Sequence, residues 1–155
     1  MKLTIYLDVD GVLLGHPRPM SGPYVLALHA VEFLRFVVDR FDVAWATTHC
    51  RHGDPEHLLE YLAEHTEPDQ RAEIDTLARQ IRPTVFNVCK TEIFEALPDH
   101  EWRWIDDAPL QAELQALRRH GWEDRLLRID TRRVPDDLLS VRVELEAMVP
   151  GGKVN

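Results

Sequence analysis

The stretch LTIYLDVDGVL, residues 3–13, decides the fold of this chain. It opens with five β-branched, aromatic or aliphatic residues, and such a nearly continuous apolar run is typical of a strand buried on both faces of a sheet. The run ends abruptly at Asp8-Val9-Asp10-Gly11. Because open α/β sheets bind their ligands at the carboxyl ends of the strands, the pattern predicts a central strand that carries two carboxylates to the binding edge.

Asp8 and Asp10 are separated by a single residue, so their negative charges share a small space. The repulsion is costly unless a cation, hydrogen-bond donors or protonation offsets it. Magnesium prefers carboxylate and carbonyl oxygens, and we therefore expect Mg²⁺ at this strand end. Gly11 would let the backbone turn sharply and approach a ligand. The alternative is an ordinary Asp-Gly turn that closes a strand.

The composition is that of an ordinary globular protein: of the 155 residues, 45% are hydrophobic and 29% are charged. We expect one domain over residues 1–150 and a flexible tail over 151–155. The net charge of −9 argues against broad nonspecific binding to nucleic acid, although a metal site can still accept a nucleic-acid end. Cys50 and Cys89 make no disulfide framework, and no secretory signal or membrane-length apolar run is present, so we expect a cytoplasmic protein.

Strand and helix patterns alternate along the rest of the chain. After a Pro- and Gly-rich loop at 15–23, a helix is predicted from about residue 25, although its first residues also suit a short strand. Residues 54–81 predict two helices or one helix broken by Pro68. Further strands are predicted at 42–47, 84–88, 102–105 and 126–129, and further helices at 90–97, 110–121 and 136–149. The order predicts a Rossmann-like three-layer α/β sandwich with a mostly parallel five-stranded sheet.

Four of the five predicted strands end in chemically reactive or charged side chains. They are Asp8 and Asp10, Thr47 followed by Thr48, Lys90, and the pair Asp106 and Asp107. The carboxyl ends of parallel strands meet at one edge of the sheet, so we expect these side chains to converge although they are distant in sequence.

The chemistry of these residue types suggests a role for each. Asp8, at the strand end, is placed to attack phosphorus and form an aspartyl-phosphate. Asp10 is placed to protonate the leaving oxygen and then to take a proton from water. Asp106 and Asp107 are expected to complete, with Asp8 and Asp10, an oxygen shell for magnesium.

Two further positions suit the substrate phosphate. The hydroxyl of Thr47, or that of Thr48, and the ammonium of Lys90 would hold the phosphoryl oxygens. We favour Thr47 because it stands at the end of its predicted strand. The run His49-Cys50-Arg51-His52 is spaced too closely for a common zinc site, so His49 or Arg51 is expected at the rim of the site.

The order of these motifs resembles that of the haloacid dehalogenase (HAD) superfamily. The segments IYLDVDGVL, VAWATTH, KTEIFEAL and WRWIDD are most similar to the small phosphatase-type domain of Swiss Army knife RNA repair proteins, and the resemblance runs from residue 2 to about 129. It implies a magnesium-dependent phosphohydrolase with Asp8 as nucleophile and Asp10 as acid and base. It also implies Thr47 and Lys90 as phosphate ligands and the acidic pair as metal ligands, with Asp107 at the usual metal position and Asp106 behind it.

The intervals between the motifs are too short for a separate cap domain, so a capless or minimally capped HAD-like site is expected. An open site suits a bulky phosphate ester, including a nucleic-acid end or a nucleotide. Two alternatives remain: a non-catalytic module that binds phosphate or protein, and a phosphotransferase. The arginines between 118 and 133 alternate with acids, which favours a solvated face over a nucleic-acid-binding patch. The oligomeric state is not readable from the sequence.

Overall fold

The computed structural model describes residues 2–97 and 99–149. In chain order the strands are β1 (Thr4–Leu7), β2 (Leu14–Gly15), β3 (Val25–Leu26), β4 (Asp42–Trp45), β5 (Trp102–Asp106) and β6 (Leu126–Arg128). The helices are α1 (Ala30–Arg40), α2 (Glu56–Glu64), α3 (Arg71–Ala78), α4 (Thr91–Glu95), α5 (Gln111–His120) and α6 (Asp137–Met148). The predicted tail at 151–155 lies outside the described residues.

The main sheet has four parallel strands in the order β4-β1-β5-β6. All four residues of β1 are buried, and β1 pairs with β4 on one side and β5 on the other, which confirms the prediction of a buried central strand. Leu7 pairs with Trp45 and with Ile105, so Asp8 emerges at the carboxyl edge between the ends of both neighbouring strands.

Helices cover both faces of this sheet, and each face has its own apolar cluster. Ile5 and Leu7 belong to a large aliphatic cluster with residues of α1, α2, α3 and α6. Tyr6 points to the opposite face and packs with Trp102, Trp104 and residues of α4 and α5. The chain therefore has an α/β fold with helices on both faces of a parallel sheet, consistent with the predicted Rossmann-like sandwich.

The sheet has four strands, and the predicted third strand at 84–88 does not form. The chain makes a single parallel bridge to β4 at Arg82, whose N–H donates to the Val43 carbonyl at 3.0 Å and whose carbonyl accepts from the Trp45 N–H at 2.8 Å. Pairing with β4 stops at Pro83, because proline lacks the N–H that a ladder needs and its φ is fixed. Val85 makes an isolated antiparallel bridge to His52 instead. Phe86 still packs into the aromatic cluster, which explains why the apolar pattern resembled a strand.

The segment between β1 and α1 is more ordered than a plain loop. Strand β3 pairs antiparallel with β2, and α1 begins at Ala30, so the short-strand alternative for residues near 25 is the observed one. Residues 54–81 form the two helices α2 and α3, and their Leu58 and Ile74 join the same cluster as α1. Over the described ranges, no helix combines the length and apolarity needed to cross a membrane.

Candidate functional site

Three carboxylates predicted from the sequence converge at the carboxyl edge of the sheet. The backbone N–H of Asp8 donates to the Ile105 carbonyl at 3.1 Å, which extends the β1–β5 ladder to the residue before Asp106. Asp8, Asp106 and Asp107 each offer a carboxylate oxygen, and these oxygens lie within 4.8 Å of one another. Asp8 and Asp106 are buried. Such a group of hard oxygen donors could hold a divalent metal ion.

Lys90 lies among these carboxylates and supplies a positive charge. Its Nζ is 2.6 Å from Asp106 Oδ2 and 3.2 Å from Asp8 Oδ1, and its side chain is 12% exposed. Burial lowers the pKa of Lys90, but the charges of Asp8 and Asp106 outweigh it and raise the pKa above its ordinary value. The ammonium is therefore held in its charged form beside the predicted nucleophile.

One lysine does not neutralise the whole group. Burial, followed by the charge of Asp106, raises the pKa of Asp8 well above its ordinary range despite Lys90. Burial and Asp106 likewise raise the pKa of Asp107, and the nearby Arg132 only partly offsets them. Raised pKa values mean that the carboxylate forms are disfavoured as they stand, and a bound cation would relieve this cost.

Asp107 is held from two sides. Arg132 donates from Nη2 to Asp107 Oδ2 at 2.6 Å and from Nε to Asp130 Oδ1 at 3.1 Å. On the other side Gly11 has a positive φ of 71°, and a Cβ there would collide with the Asp107 carboxylate. Gly11 is thus required both for its backbone conformation and for the close approach of Asp107.

Asp10, also predicted as a metal ligand, is not among the three clustered carboxylates. Its Oδ1 accepts hydrogen bonds from the hydroxyls of Tyr24 at 2.5 Å and Tyr61 at 2.7 Å, and its Oδ2 lies 2.7 Å from His49 Nε2. Burial raises the pKa of Asp10, but the hydrogen bonds from His49, Tyr24 and Tyr61 outweigh it and hold the pKa well below its usual range. Asp10 is therefore stabilised as a carboxylate by protein donors.

The two threonines predicted as phosphate ligands differ in exposure. Beyond β4 the Ala46 N–H still donates to the Leu7 carbonyl, which brings Thr47 to the edge beside Asp8. Thr47 is buried, and its hydroxyl oxygen accepts the His49 N–H at 3.3 Å at the start of a short 3₁₀ helix over Thr48–Cys50. Thr48 is exposed.

Lys90 reaches the site from an irregular loop, and two glutamates organise that loop. Glu92 accepts the backbone N–H groups of Asn87, Val88 and Cys89 at 2.7, 3.1 and 3.1 Å. The buried Glu113 of α5 accepts the N–H of Lys90 at 2.7 Å and that of Leu110 at 2.8 Å. Glu92 thereby satisfies the backbone donors of Asn87 and Val88, which lie in the segment predicted as a strand, and Glu113 attaches the loop to the start of α5.

The rim beside Asp10 is rich in aromatic and imidazole rings. His49 stacks on Tyr61 with ring centroids 4.0 Å apart, and an open pocket of about 500 Å³ is lined by His49, Arg51 and His57 among others. His49 thus contacts Asp10, and Arg51 lines the same pocket as His49, while their place at the rim of a substrate site stays a prediction. Several arginines of the 118–133 region pair with acids, as in Arg118 with Glu123 and Arg133 with Asp130.

Sequence reasoning missed several residues that contact the predicted ones. Arg132 lies in an arginine-rich stretch interpreted as a solvated face, and no role was predicted for Tyr24 or Tyr61. Glu113 did leave a signal, because a Glu at the third position of a helix often caps backwards onto the helix start. Comparison of this chain with protein-family models, with curated proteins and with solved structures finds no match.

Proposed function

We propose that this chain is a magnesium-dependent phosphomonoesterase that works through an aspartyl-phosphate on Asp8. The observation that supports it most is the position of Asp8 at the end of the central strand, between Lys90 and two further carboxylates. A nucleophile, a phosphate-binding cation and a set of metal ligands are thereby within reach of one another. That combination suits phosphoryl transfer, in which catalysis consists largely of positioning and charge stabilisation.

The proposed reaction has two steps. In the first, a carboxylate oxygen of Asp8 bonds to phosphorus while the bond from phosphorus to the ester oxygen breaks, and Asp10 gives a proton to the departing oxygen. In the second, water attacks the phosphorus of phospho-Asp8 and loses a proton to Asp10. Asp8 is regenerated, inorganic phosphate leaves, and Asp10 keeps the proton for the next turnover. Because its hydrogen-bond partners lower the pKa of Asp10, only the fraction of molecules in which Asp10 is protonated can begin the first step.

Charge control belongs to the other residues. Lys90 would share its ammonium between Asp8 and the phosphoryl oxygens, and the hydroxyl of Thr47 or of exposed Thr48 would donate to the same oxygens. Asp8, Asp106 and Asp107 would hold the magnesium ion, which when bound supplies positive charge that offsets the charge of the phosphoryl group. Arg132 would fix the orientation of Asp107.

The proposal includes an HAD-like arrangement without a separate cap, in a cytoplasmic protein. Helices α2 and α3 pack into the same core as α1 rather than forming a domain of their own, which supports a site without a separate cap domain. An open site can admit bulky esters, so nucleic-acid ends and nucleotides belong in the substrate panel together with sugar phosphates and phosphopeptides.

The test is hydrolysis of nitrophenyl phosphate with magnesium and with excess chelator, in the wild type and in Asp8→Asn. We expect activity that needs magnesium and falls by several orders of magnitude in Asp8→Asn, because the nucleophile is lost. Asp42→Asn is the matched control, since Asp42 lies at the opposite end of the sheet and pairs with Arg82. Full activity in chelator, or in Asp8→Asn, would refute the proposal.

Two additions to this assay, an acceptor alcohol and an intact-mass measurement, distinguish the phosphatase from a phosphotransferase and from a non-catalytic module. A phosphotransferase would form phospho-Asp8 but would release more product when an acceptor alcohol is added. A non-catalytic module would bind phosphate esters without turnover and without an increase in the intact mass of the protein.

A further inference from the structure

The hydrogen bonds around Asp10 distinguish its two oxygens. Oδ1 receives both phenolic hydroxyls, from Tyr24 at 2.5 Å and Tyr61 at 2.7 Å, whereas Oδ2 has His49 Nε2 at 2.7 Å as its side-chain partner. The three hydrogen-bond partners come from separate segments: Tyr24 precedes β3, Tyr61 lies in α2, and His49 lies in the 3₁₀ helix after β4. The Asp10 carboxylate is thus hydrogen-bonded to three segments that only the tertiary fold brings together.

A carboxylate oxygen has two lone pairs, and two donors occupy both of those on Oδ1. An incoming proton therefore has no free position on Oδ1. Oδ2, with one side-chain partner, retains a lone pair. Moreover, Oδ1 is a hydrogen-bond acceptor whether Asp10 is a carboxylate or a carboxylic acid protonated on Oδ2. The two phenols can therefore hold the same orientation of Asp10 in both protonation states.

We propose that Tyr24 and Tyr61 are positioning residues that fix Asp10 through Oδ1, so that Oδ2 is the oxygen that gives and takes the proton. This inference rests on the proposed function. In the first step the proton on Oδ2 passes to the departing ester oxygen, and in the second Oδ2 receives the proton of the attacking water. Throughout the cycle Oδ1 keeps its two phenolic partners, and neither tyrosine exchanges a proton with the substrate.

The rings of Tyr24 and Tyr61 make packing contacts that do not involve their hydroxyl groups. Tyr24 and Tyr61 are partly buried, Tyr61 stacks on His49, and Tyr24 packs edge-on to His65 with centroids 5.6 Å apart. Replacing either tyrosine by Phe keeps this ring packing and removes one O–H donor. The change therefore addresses the hydrogen bond to Asp10 rather than the core.

The first arm of the test detects the hydrogen bonds from Tyr24 and Tyr61 to Asp10 and does not depend on enzyme activity. The chain has three tyrosines, so protein labelled with ¹³C at the tyrosine ζ-carbon gives three signals, and each Tyr→Phe variant assigns one. Asp10→Ala should shift the signals of Tyr24 and Tyr61 and leave that of Tyr6, whose hydroxyl contacts His100, unchanged. Asp10→Asn keeps a carbonyl oxygen at Oδ1 and should shift both signals less. Unchanged signals in Asp10→Ala would overturn the inference whatever the enzyme does.

The second arm measures the consequence for catalysis with an alkyl phosphate, whose leaving oxygen needs a proton, and with nitrophenyl phosphate, whose leaving group departs as a stable anion. Tyr24→Phe and Tyr61→Phe should each lower kcat for the alkyl ester about tenfold, because Oδ2 of Asp10 is then less well oriented towards the departing oxygen. The double variant should lose about 100-fold or more, because the remaining phenol no longer compensates. KM should change little for both esters, and formation of phospho-Asp8 from the nitrophenyl ester should stay fast.

Tyr6→Phe is the matched control, since it removes a hydroxyl from the aromatic cluster on the other face of the sheet. It should leave the ratio of the two kcat values unchanged. An equal loss for both esters in the Tyr24 and Tyr61 variants, or a double variant with normal kcat, would overturn the positioning role. Absence of magnesium-dependent hydrolysis in the wild type would instead overturn the proposed function, and the catalytic part of this inference with it. The labelled spectra would then still report whether the hydrogen bonds from Tyr24 and Tyr61 to Asp10 exist.

Discussion

Gly11 links the backbone of the first turn to the arrangement of the acidic residues. Its φ of 71° disfavours any residue with a Cβ, and its missing side chain leaves the space that the Asp107 carboxylate occupies. Gly121, after α5, has a similar φ of 69° but no atom within 4 Å of a built Cβ. Substitution of Gly121 therefore measures the cost of the backbone conformation alone, whereas substitution of Gly11 adds the cost of the clash with Asp107.

We expect Gly121→Ala to lower the free energy of unfolding by about 1 kcal/mol, the usual cost of a non-glycine residue in this region. Gly11→Ala should cost more, because Asp107 must also move, and it should weaken magnesium binding. Chemical denaturation and magnesium titration of both variants check this. Equal destabilisation by the two substitutions, with unchanged magnesium affinity, would contradict the steric role of Gly11.

The buried carboxylate of Asp8 should lower the free energy of unfolding, and the pH dependence of stability tests this expectation. The pKa of Asp8 in the folded chain lies above the ordinary value of about 3.9, so the folded state holds the Asp8 proton more tightly than the unfolded state does. The stability of the metal-free protein therefore falls as pH rises from the unfolded pKa to the folded pKa, and the cost is fully present above the folded value. We expect Asp8→Asn to raise Tm at neutral pH in chelator, with a gain that disappears below about pH 4.

In magnesium the wild type should instead have the higher Tm, because Asp8→Asn lacks one of the proposed carboxylate ligands. Thermal melts of both proteins across pH, in chelator and in magnesium, provide the measurement. A Tm for Asp8→Asn below that of the wild type in chelator at neutral pH would show that the Lys90 contact outweighs burial and Asp106.

At the level of single residues, the sequence predicted those side chains that stand at strand ends. Asp8, Asp106 and Asp107 converge as expected, and Lys90 joins them. Tyr24 and Tyr61 were not predictable, because a tyrosine that follows a Pro-rich loop and one in an amphipathic helix carry no local sign of a shared partner. Only the tertiary fold brings both hydroxyls to the same oxygen of Asp10.

Among the elements, the loop that carries Lys90 is the clearest departure from expectation. A strand at 84–88 was wrong, because the apolar pattern came from a segment that packs Phe86 beyond the edge strand while Pro83 ends the pairing. The predicted central strand, the strand before Asp106 and the helix closed by Gly121 were confirmed, since periodicity and capping are local properties. Helix α1 begins later than the pattern suggested because residues 25–26 pair with β2.

Glu113 attaches the loop that carries Lys90 to the start of α5, because it accepts the backbone N–H groups of Lys90 and Leu110. Glu113→Gln keeps the size of the side chain but points an amide N–H₂ at one of the two backbone N–H groups it now accepts. One buried donor is left unsatisfied, so we expect a loss of about 1–3 kcal/mol in unfolding free energy. Lys90 should also become less well placed, with a lower kcat for phosphate esters.

Glu92→Gln is the comparison variant, because Glu92 makes its hydrogen bonds near the surface where water can replace them. We expect a smaller loss of stability and of kcat than in Glu113→Gln. Denaturation curves and steady-state kinetics of the two variants provide the test. A larger effect from Glu92 would mean that the outer part of the loop, rather than its attachment to α5, positions Lys90.

For the molecule as a whole, the acidic group joins two strands that are distant in sequence. Asp8 follows β1, and Asp106 and Asp107 close β5, so an ion held by all three would bind only the folded state. We expect Tm to rise with magnesium concentration, with about 2.7 kcal/mol of added stability at 100 times Kd. Asp107→Ala should reduce the shift and Asp42→Asn should retain it. A Tm independent of millimolar magnesium in the wild type would rule out this metal centre without reference to any substrate.

The position of β1 between β4 and β5 also has a consequence for biosynthesis. During translation β1 is made before β4 and β5 and can pair with β4, but the other edge of β1 has no partner until Trp102 and its neighbours have been made. A nascent chain that stops before that point keeps an open apolar strand edge, which is prone to aggregation. It also lacks two of the three clustered carboxylates. The partner of the second edge of β1 and two of the three clustered carboxylates are therefore supplied by the same stretch of chain, residues 102–107.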